Sequence, residues 1–255
     1  MNKNSGFVAG TLVHTDKGLV PIQDIKVGDI VLSKPESGEG EKAYKHVFKT
    51  FESEIKQSII SSVSDIFCTD SHPFWVKDNG WVVAKLLDKN KDLLYTLYTE
   101  KTGYYDEPNY HLTEVKYYYR DLYEIGGLYL LPTPFENIAV CLETNNFNIR
   151  SENHASLIDF SHGKQKYIVT NQSHSFLGGG GIRTYTGNPT ELDSESYIFL
   201  DKEKDKEEIE FYSKIFFDAM NGEGVDYPFS SYVYNIEVED YHTYFVGEAG
   251  YWVHQ

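Results

Sequence analysis

Short runs of alternating apolar and polar residues, each closed by a tight-turn signal, fill the chain from Phe7 to Val83. Alternation with a period of two turns one face of an extended segment toward a core and the other toward water, the pattern of antiparallel strands. Thr15-Asp16-Lys17-Gly18 has the Asp and Gly of a hairpin turn, and Val27-Gly28-Asp29 sets a Gly-Asp step before the strand Ile30-Val31-Leu32. Residues 34 to 41 are a polar loop. Ile66-Phe67-Cys68-Thr69 is a further strand, and Phe74-Trp75-Val76 and Trp81-Val82-Val83 form a hairpin around Asp78-Asn79-Gly80. Tyr44 to Val63 predicts one or two strands, with a helix as the lesser reading, and Tyr104 to Tyr123 one or two more. Aromatics at 15%, with 21 Tyr and 15 Phe against 2 Met, suit pleated surfaces better than helices. The fold class is therefore all-β.

The middle of the chain is different. It carries Pro132 and Pro134, an apolar strand Ile138 to Leu142, a glycine run Gly178 to Gly181 and the strand Tyr197 to Leu200. The best helix candidate spans Glu203 to Met220, where Ile209, Tyr212, Ile215 or Phe216, and Met220 fall at helical spacing. The charge run Lys202 to Glu208 reads as its solvated first turns. At 255 residues the chain can hold one large domain or a domain with a sizeable insertion. Lys and Arg total 23 against 39 Asp and Glu, a formal charge of −16, so a phosphate backbone is repelled and nucleic acid is not an expected partner. Cys68 and Cys141 are too few for a disulfide framework. The opening Met-Asn-Lys-Asn-Ser has no apolar core and is not read as a signal peptide; no apolar run is long enough to span a bilayer, so a soluble protein is expected.

Four clusters carry chemistry. Gly6-Phe7-Val8-Ala9-Gly10-Thr11-Leu12-Val13-His14-Thr15 leads through a turn to Leu19-Val20-Pro21-Ile22-Gln23-Asp24-Ile25-Lys26-Val27-Gly28-Asp29. Thr69-x-x-His72 is followed by Pro-Phe-Trp-Val and Gly-Trp-Val-x-Ala. Asn235 to His242 is continued by Tyr244-Phe245-Val246-Gly247, and the last residues are Trp252-Val253-His254-Gln255. Together these resemble the blocks of the Hint (Hedgehog/intein) superfamily, most closely the pretoxin-Hint type of bacterial polymorphic toxins. The resemblance covers about 1–100 and 231–255 well and fades from about residue 121.

The resemblance implies a horseshoe-like Hint fold that brings the N- and C-terminal strands into one cleft. It implies a discontinuous domain of residues 1–120 plus 231–255, with residues 121–230 an inserted mixed α/β subdomain whose default role is to bind another protein or to cap. Such domains cut their own junctions without a cofactor. A cysteine before Phe-x-x-Gly-Thr attacks the preceding carbonyl, and a final Asn cyclises onto its own carbonyl to release the downstream polypeptide. Both attacks are intramolecular, and good positioning is worth up to roughly 7–11 kcal/mol. The resemblance places the nucleophile at Gly6, sets His72 on the amide nitrogen of the N-terminal junction and has Thr69 hold the bent peptide. Asn235 stands where many relatives have Asp and cannot act as a base. His242 assists imide formation, His254 polarises the last carbonyl, and Gln255 takes the cyclising position. Glycine has no side chain to attack with, and the Gln255 amide must close a six-membered ring with one more rotor than Asn. With nothing after Gln255 in the sequence as given, C-terminal cleavage is not expected of it. The implied partners are an upstream carrier and a downstream toxin in an exported bacterial precursor, with no membrane or nucleic acid.

Other readings of single residues are blander. Ser5 is one residue upstream of Gly6, and strand alternation is expected to point it away from the site. Cys68 is expected on the opposite face from Thr69 as a buried structural thiol. Asp240 reads as a solvated turn charge and His14 as a surface strand residue. His46, His111, His154, His162 and His174 lack the partners of a ligand set, so no metal is expected. The glycine run has no following Lys-Ser/Thr and is no phosphate loop. Leu157-Ile158-Asp159 is a chance fragment of a homing-endonuclease motif. Three functions stay open, in this order: a processing domain disabled at both junctions, a degenerate Hint scaffold that binds or caps, and a protease acting in trans.

Overall fold

The structure, a computed structural model, describes residues 5–54, 56–58, 61–63, 66–87, 92–97, 110–112, 115–117, 128–133, 138–143, 154–160, 166–170, 183–184, 188–192, 194, 197–220 and 229–255. Contacts between Cα atoms divide the chain into two compact units, Met1–Lys116 with Tyr232–Gln255, and Tyr117–Ser231.

The first unit is a long antiparallel sheet. Its order runs Tyr110–Leu112, Leu93–Tyr95, Pro73–Val76, Tyr251–His254, Thr243–Val246, Leu12–Thr15, Ile30–Ser33, Ala43–Glu52, Val233–Val238, Phe7–Val8, Ile66–Cys68 and Ser61–Val63. A sheet of this width cannot stay flat, because the twist between strands accumulates and curls it. The expected hairpins are present. Leu12–Thr15 pairs with Gly18–Pro21, and its turn is closed by the Thr15 hydroxyl, which donates to the Gly18 carbonyl at 2.8 Å. Pro73–Val76 pairs with Gly80–Val83. Period-two burial recurs in Leu12–Thr15, Ile30–Ser33 and Pro73–Val76, where alternate residues are buried. The segment Tyr44 to Val63 forms the strands Ala43–Glu52, Gln57–Ser58 and Ser61–Val63, so the helix alternative there falls. Helical turns among the described residues of this unit are the short 3-10 pieces Ile22–Asp24 and Ala84–Leu86.

The terminal strands sit inside the sheet. Phe7–Val8 lies between Val233–Val238 and Ile66–Cys68 (Phe7 opposite Tyr234 and Cys68). Tyr251–His254 lies between Thr243–Val246 and Pro73–Val76. Phe7, Phe74, Tyr244, Phe245 and Trp252 are among the largest fully buried side chains. Burying such rings is worth roughly 1.5–3 kcal/mol each, so both ends of the chain are held by core packing as well as by ladder hydrogen bonds.

In the second unit Leu128–Pro132, Ile138–Glu143, His154–Asp159 and Lys166–Thr170 form an antiparallel run, with Tyr197–Leu200 and Arg183–Thr184 parallel to Lys166–Thr170. The helix spans Lys206–Met220, three residues shorter at its start than the charge pattern predicts. Asp201 accounts for the difference. Its carboxylate takes the Glu203 N–H at 2.9 Å and its carbonyl takes the N–H groups of Lys204 and Asp205, so residues 202 to 204 form a turn instead of helix. Ile209 and Ile215 are buried, as helical spacing requires. Pro134, the Gly178 to Gly181 run, His162 and His174 lie outside the described residues, as do the side chains of Phe216, Met220, His111, His154 and Cys141. No helix is long and apolar enough to cross a membrane among the described residues.

Candidate functional site

The Ser5–Gly6 peptide is gripped from several sides. The Gly6 N–H donates to the Thr69 hydroxyl oxygen at 3.1 Å, and the Thr69 N–H returns to the Gly6 carbonyl at 3.0 Å. The Asn235 side-chain N–H donates to the Ser5 carbonyl at 3.1 Å. Asn235 is itself fixed: its oxygen accepts from the Tyr244 hydroxyl at 2.7 Å and from the Ile236 N–H at 2.8 Å. Burial holds the Tyr244 phenol well above its usual range, so it remains a donor. Asn235 therefore acts as an oriented donor on the carbonyl oxygen, a role that the lack of a base in its side chain does not forbid.

Two expectations about this junction are corrected. The Gly6 N–H bonds Thr69 and not His72, whose Nδ1 lies 3.1 Å from the Ser5 hydroxyl. Ser5 in turn does not point away: it precedes the first paired residue, escapes strand alternation and is buried against that ring. His72 is fully buried, its ring tilted against the Phe7 ring with centroids 4.0 Å apart, and its Nε2 has no hydrogen-bond partner among the described residues. Burial first, and the charge of nearby His254 second, push its pKa down to about 3, so the ring is neutral. The 3-10 turn Ala84–Leu86 clamps the Thr69–His72 turn, with the Ala84 N–H on the His72 carbonyl and the Lys85 N–H on the Asp70 carbonyl.

Gly6 is more than a missing thiol. A Cβ built there meets the Tyr234 carbonyl oxygen at 2.5 Å, a backbone atom of the paired strand. Cys68 is a buried thiol whose pKa burial drives far up, as expected of a structural cysteine.

The C-terminal junction is built on the same strand. Asn235 and Val238 are three residues apart, about 10 Å along an extended chain. Between Glu237 and Val238 the register with Ala43–Glu52 shifts in a bulge, and the Val238 N–H donates instead to the Gln255 side-chain oxygen at 2.9 Å. The Gln255 side-chain N–H donates to His242 Nδ1 at 2.9 Å. His242 has φ 56° and Asp240 φ 61°, left-handed positions that non-glycine residues adopt at a cost of order 1–3 kcal/mol. That turn aims the imidazole at the terminal amide and carries Asp240 outward to an exposed ion pair with Lys45 at 2.8 Å.

His254 Nδ1 lies 3.0 Å from the Gln255 carbonyl oxygen, and its Nε2 lies 2.8 Å from a Glu36 carboxylate oxygen. Its ring is edge-on to Trp81 at 5.1 Å. The terminal amide is thus held by an acceptor on one side and a donor on the other, with His254 Nδ1 at the last carbonyl oxygen. The structure thus brings Gly6, Thr69, His72 and Asn235 together at one junction and His242, His254 and Gln255 at the other.

Sequence reasoning missed Glu36, Tyr244 and the Val238 N–H. Tyr244 lay inside a recognised block, and that membership was the available signal. Glu36 shares its polar loop with Glu39 and Glu41, and nothing local separates them. His14 is also corrected: it is half-buried, with Nε2 2.8 Å from the Gly247 carbonyl, and desolvation lowers its pKa despite that bond. Among the described residues no group of His, Cys, Asp and Glu is placed to hold a metal ion.

Residues 12–103 match the family model of the pretoxin HINT domain. The match stops short of residues 233–255, whose strands complete both junctions. Among curated proteins nothing matches. Among solved structures, a bacterial intein-like domain from Clostridium thermocellum is 20% identical, with 98% of each chain covered and a TM-score of 0.45. A DnaB intein from Synechocystis sp. PCC 6803 is 9% identical over 98% of this chain and 97% of that one, with a TM-score of 0.41. The gp41-1 intein is 22% identical over 49% of this chain and 91% of its own, with a TM-score of 0.28. The resemblance to pretoxin-Hint domains holds over the matched segment and supports an autoprocessing type of function in general.

Proposed function

We propose that this pretoxin-Hint-like chain is an autoprocessing domain that cuts only at its C-terminal junction, releasing the polypeptide attached after Gln255. The reading rests on one observation: the Gln255 amide lies between His242 Nδ1 and the Val238 N–H while its own carbonyl faces His254 Nδ1. The Gln255 side-chain nitrogen attacks the Gln255 carbonyl carbon and its proton passes to His242. The oxyanion is met by the His254 N–H, and preorganised donors of this kind are worth about 3–4 kcal/mol. The C–N bond to the next residue breaks, the leaving amine takes the proton, and a six-membered imide remains at residue 255. At the other junction Gly6 offers no nucleophile, and Thr69, His72 and Asn235 hold the peptide without cutting it. The upstream segment then stays attached to the domain. A toxin or effector as the released segment, in an exported bacterial precursor, is proposed from the pretoxin match.

The test is intact mass of the chain extended by a downstream reporter, with Gln255→Asn and Gln255→Ala beside it. The parent loses the reporter slowly and leaves a fragment one water lighter than the free acid. Gln255→Asn is faster and Gln255→Ala is inert. Cleavage of Gln255→Ala at the parent rate, or none in either parent or Gln255→Asn, refutes the proposal.

A further inference from the structure

The His254 ring has an acceptor at each nitrogen: the Gln255 carbonyl at Nδ1 and the Glu36 carboxylate at Nε2. Two acceptors are both satisfied only when both ring nitrogens carry a proton. Without a partner at Nε2 the ring can turn about its side-chain bonds or give up the Nδ1 proton, and the last carbonyl loses its donor.

Glu36 is brought to this position by a built loop. At the loop's base the Ser33 hydroxyl donates to the Thr243 carbonyl at 2.6 Å, the Thr243 hydroxyl donates to the Lys34 carbonyl, and the Lys34 N–H returns to the Thr243 hydroxyl at 3.3 Å. Thr243 immediately follows His242, so the loop and the amide-facing histidine share one anchor. Across the loop the Lys34 ammonium spans the Gly38 and Gly40 carbonyls at 2.6 and 2.7 Å and lies 5.3 Å over the Trp252 ring. The Glu36 carbonyl accepts from the Trp81 indole at 2.9 Å. Gly38, at φ +84°, lets the loop press on Trp75, where a Cβ meets the ring at 2.6 Å. Trp75, Trp81 and Trp252 pack against one another, and Trp81 also flanks His254. The loop backbone is thus bonded to Thr243, the neighbour of His242, and to Trp81, whose ring flanks His254, and Glu39 and Glu41 do not share the Glu36 contact with the His254 ring.

We propose that Glu36 is the positioning residue for C-terminal cleavage, holding His254 with its Nδ1–H on the Gln255 carbonyl. It acts through His254 and touches no reacting atom. The inference rests on the processing reading above, and the experiment separates the two.

Glu36→Ala, Glu36→Gln and Glu36→Asp are placed in the reporter-extended chain with Gln255 and with Gln255→Asn, and release rates are followed by mass. Ring ¹⁵N spectra of His254 are recorded alongside. Glu36 is half exposed, so loss of fold is not expected, and an unchanged melting profile checks it. Glu36→Ala slows release about 10- to 100-fold, by comparison with the larger losses seen when a histidine's orienting carboxylate is removed elsewhere. Glu36→Asp recovers part of the rate, and Glu36→Gln less, since it keeps an acceptor without the charge. The ¹⁵N spectrum shows the Nδ1–H hydrogen bond to the last carbonyl in the parent and its loss in Glu36→Ala. Release that Glu36→Ala leaves unchanged overturns the role of Glu36 and leaves the processing reading standing. Absence of release from both parent and Gln255→Asn overturns the processing reading and Glu36's role with it.

Discussion

Replacing Gly6 by alanine should destabilise this protein, although the same change elsewhere usually does the reverse. Gly6 is not among the glycines with positive φ, so its backbone is open to any residue. Where a backbone tolerates alanine, Gly→Ala commonly adds about 0.4–1 kcal/mol by stiffening the unfolded chain. Here the new Cβ sits 2.5 Å from the Tyr234 carbonyl oxygen, with the carbonyl carbon at 3.1 Å and the Tyr234 nitrogen at 3.3 Å. A relaxed carbon–oxygen contact is about 3.3 Å or more, so the overlap is roughly 0.8 Å. Tyr234 cannot simply retreat, because its other side is paired with Glu52 and the next residue, Asn235, holds the Ser5 carbonyl. Overpacking of this kind costs about 1–3 kcal/mol, which outweighs the entropic gain. The assay is urea unfolding followed by tryptophan fluorescence, suited to the Trp75, Trp81 and Trp252 cluster. Gly6→Ala and Gly6→Cys should lose similar stability, since the Cβ they share causes the clash. With an upstream reporter, Gly6→Cys should give little or no product when an external thiol is added to intercept a thioester. A Gly6→Ala protein as stable as its parent refutes the steric argument. Efficient thiol-induced release from Gly6→Cys refutes the claim that the N-terminal junction is closed to chemistry.

The depressed His72 pKa gives a pH dependence with a definite sign. Its folded value of about 3 lies below the roughly 6.5 of an unfolded histidine, so between those values the unfolded chain binds more protons. The stability that neutral His72 contributes is complete above pH 6.5 and falls by about 1.4 kcal/mol per pH unit as the pH drops through that window. Unfolding free energies from urea curves at pH 7.5 and 5 should differ by about 2 kcal/mol in the parent and by much less in His72→Leu; equal losses in both refute the assignment. Tyr244→Phe removes the donor to the Asn235 oxygen at a fully buried site and should cost about 1 kcal/mol in the same assay, and an unchanged midpoint refutes that role.

The hairpins at 12–21 and 73–83 were legible because hydrophobic period and turn residues are local signals, and local backbone sterics carry them out. The helix near 206–220 was legible for the same reason, and its start was misplaced because Asp201 offers the backbone other hydrogen bonds. Thr69, His72, Asn235, His242, His254 and Gln255 could be nominated because each sits in a recognisable block. What each one touches could not. His72 faces Ser5, and Asn235 donates to a carbonyl, because Phe7 happens to pair with Tyr234 in the register that the buried faces set. Taken by itself, the chain's order of residues determined its strands, its turns, its all-β class and the set of side chains able to do chemistry. Tertiary structure decided that a bulge frees the Val238 N–H for Gln255, that a loop more than two hundred residues away delivers Glu36 to His254, and that Gly6 has no room for a side chain. Those are contacts between segments remote in sequence, and nothing in a local pattern reports the distance between them.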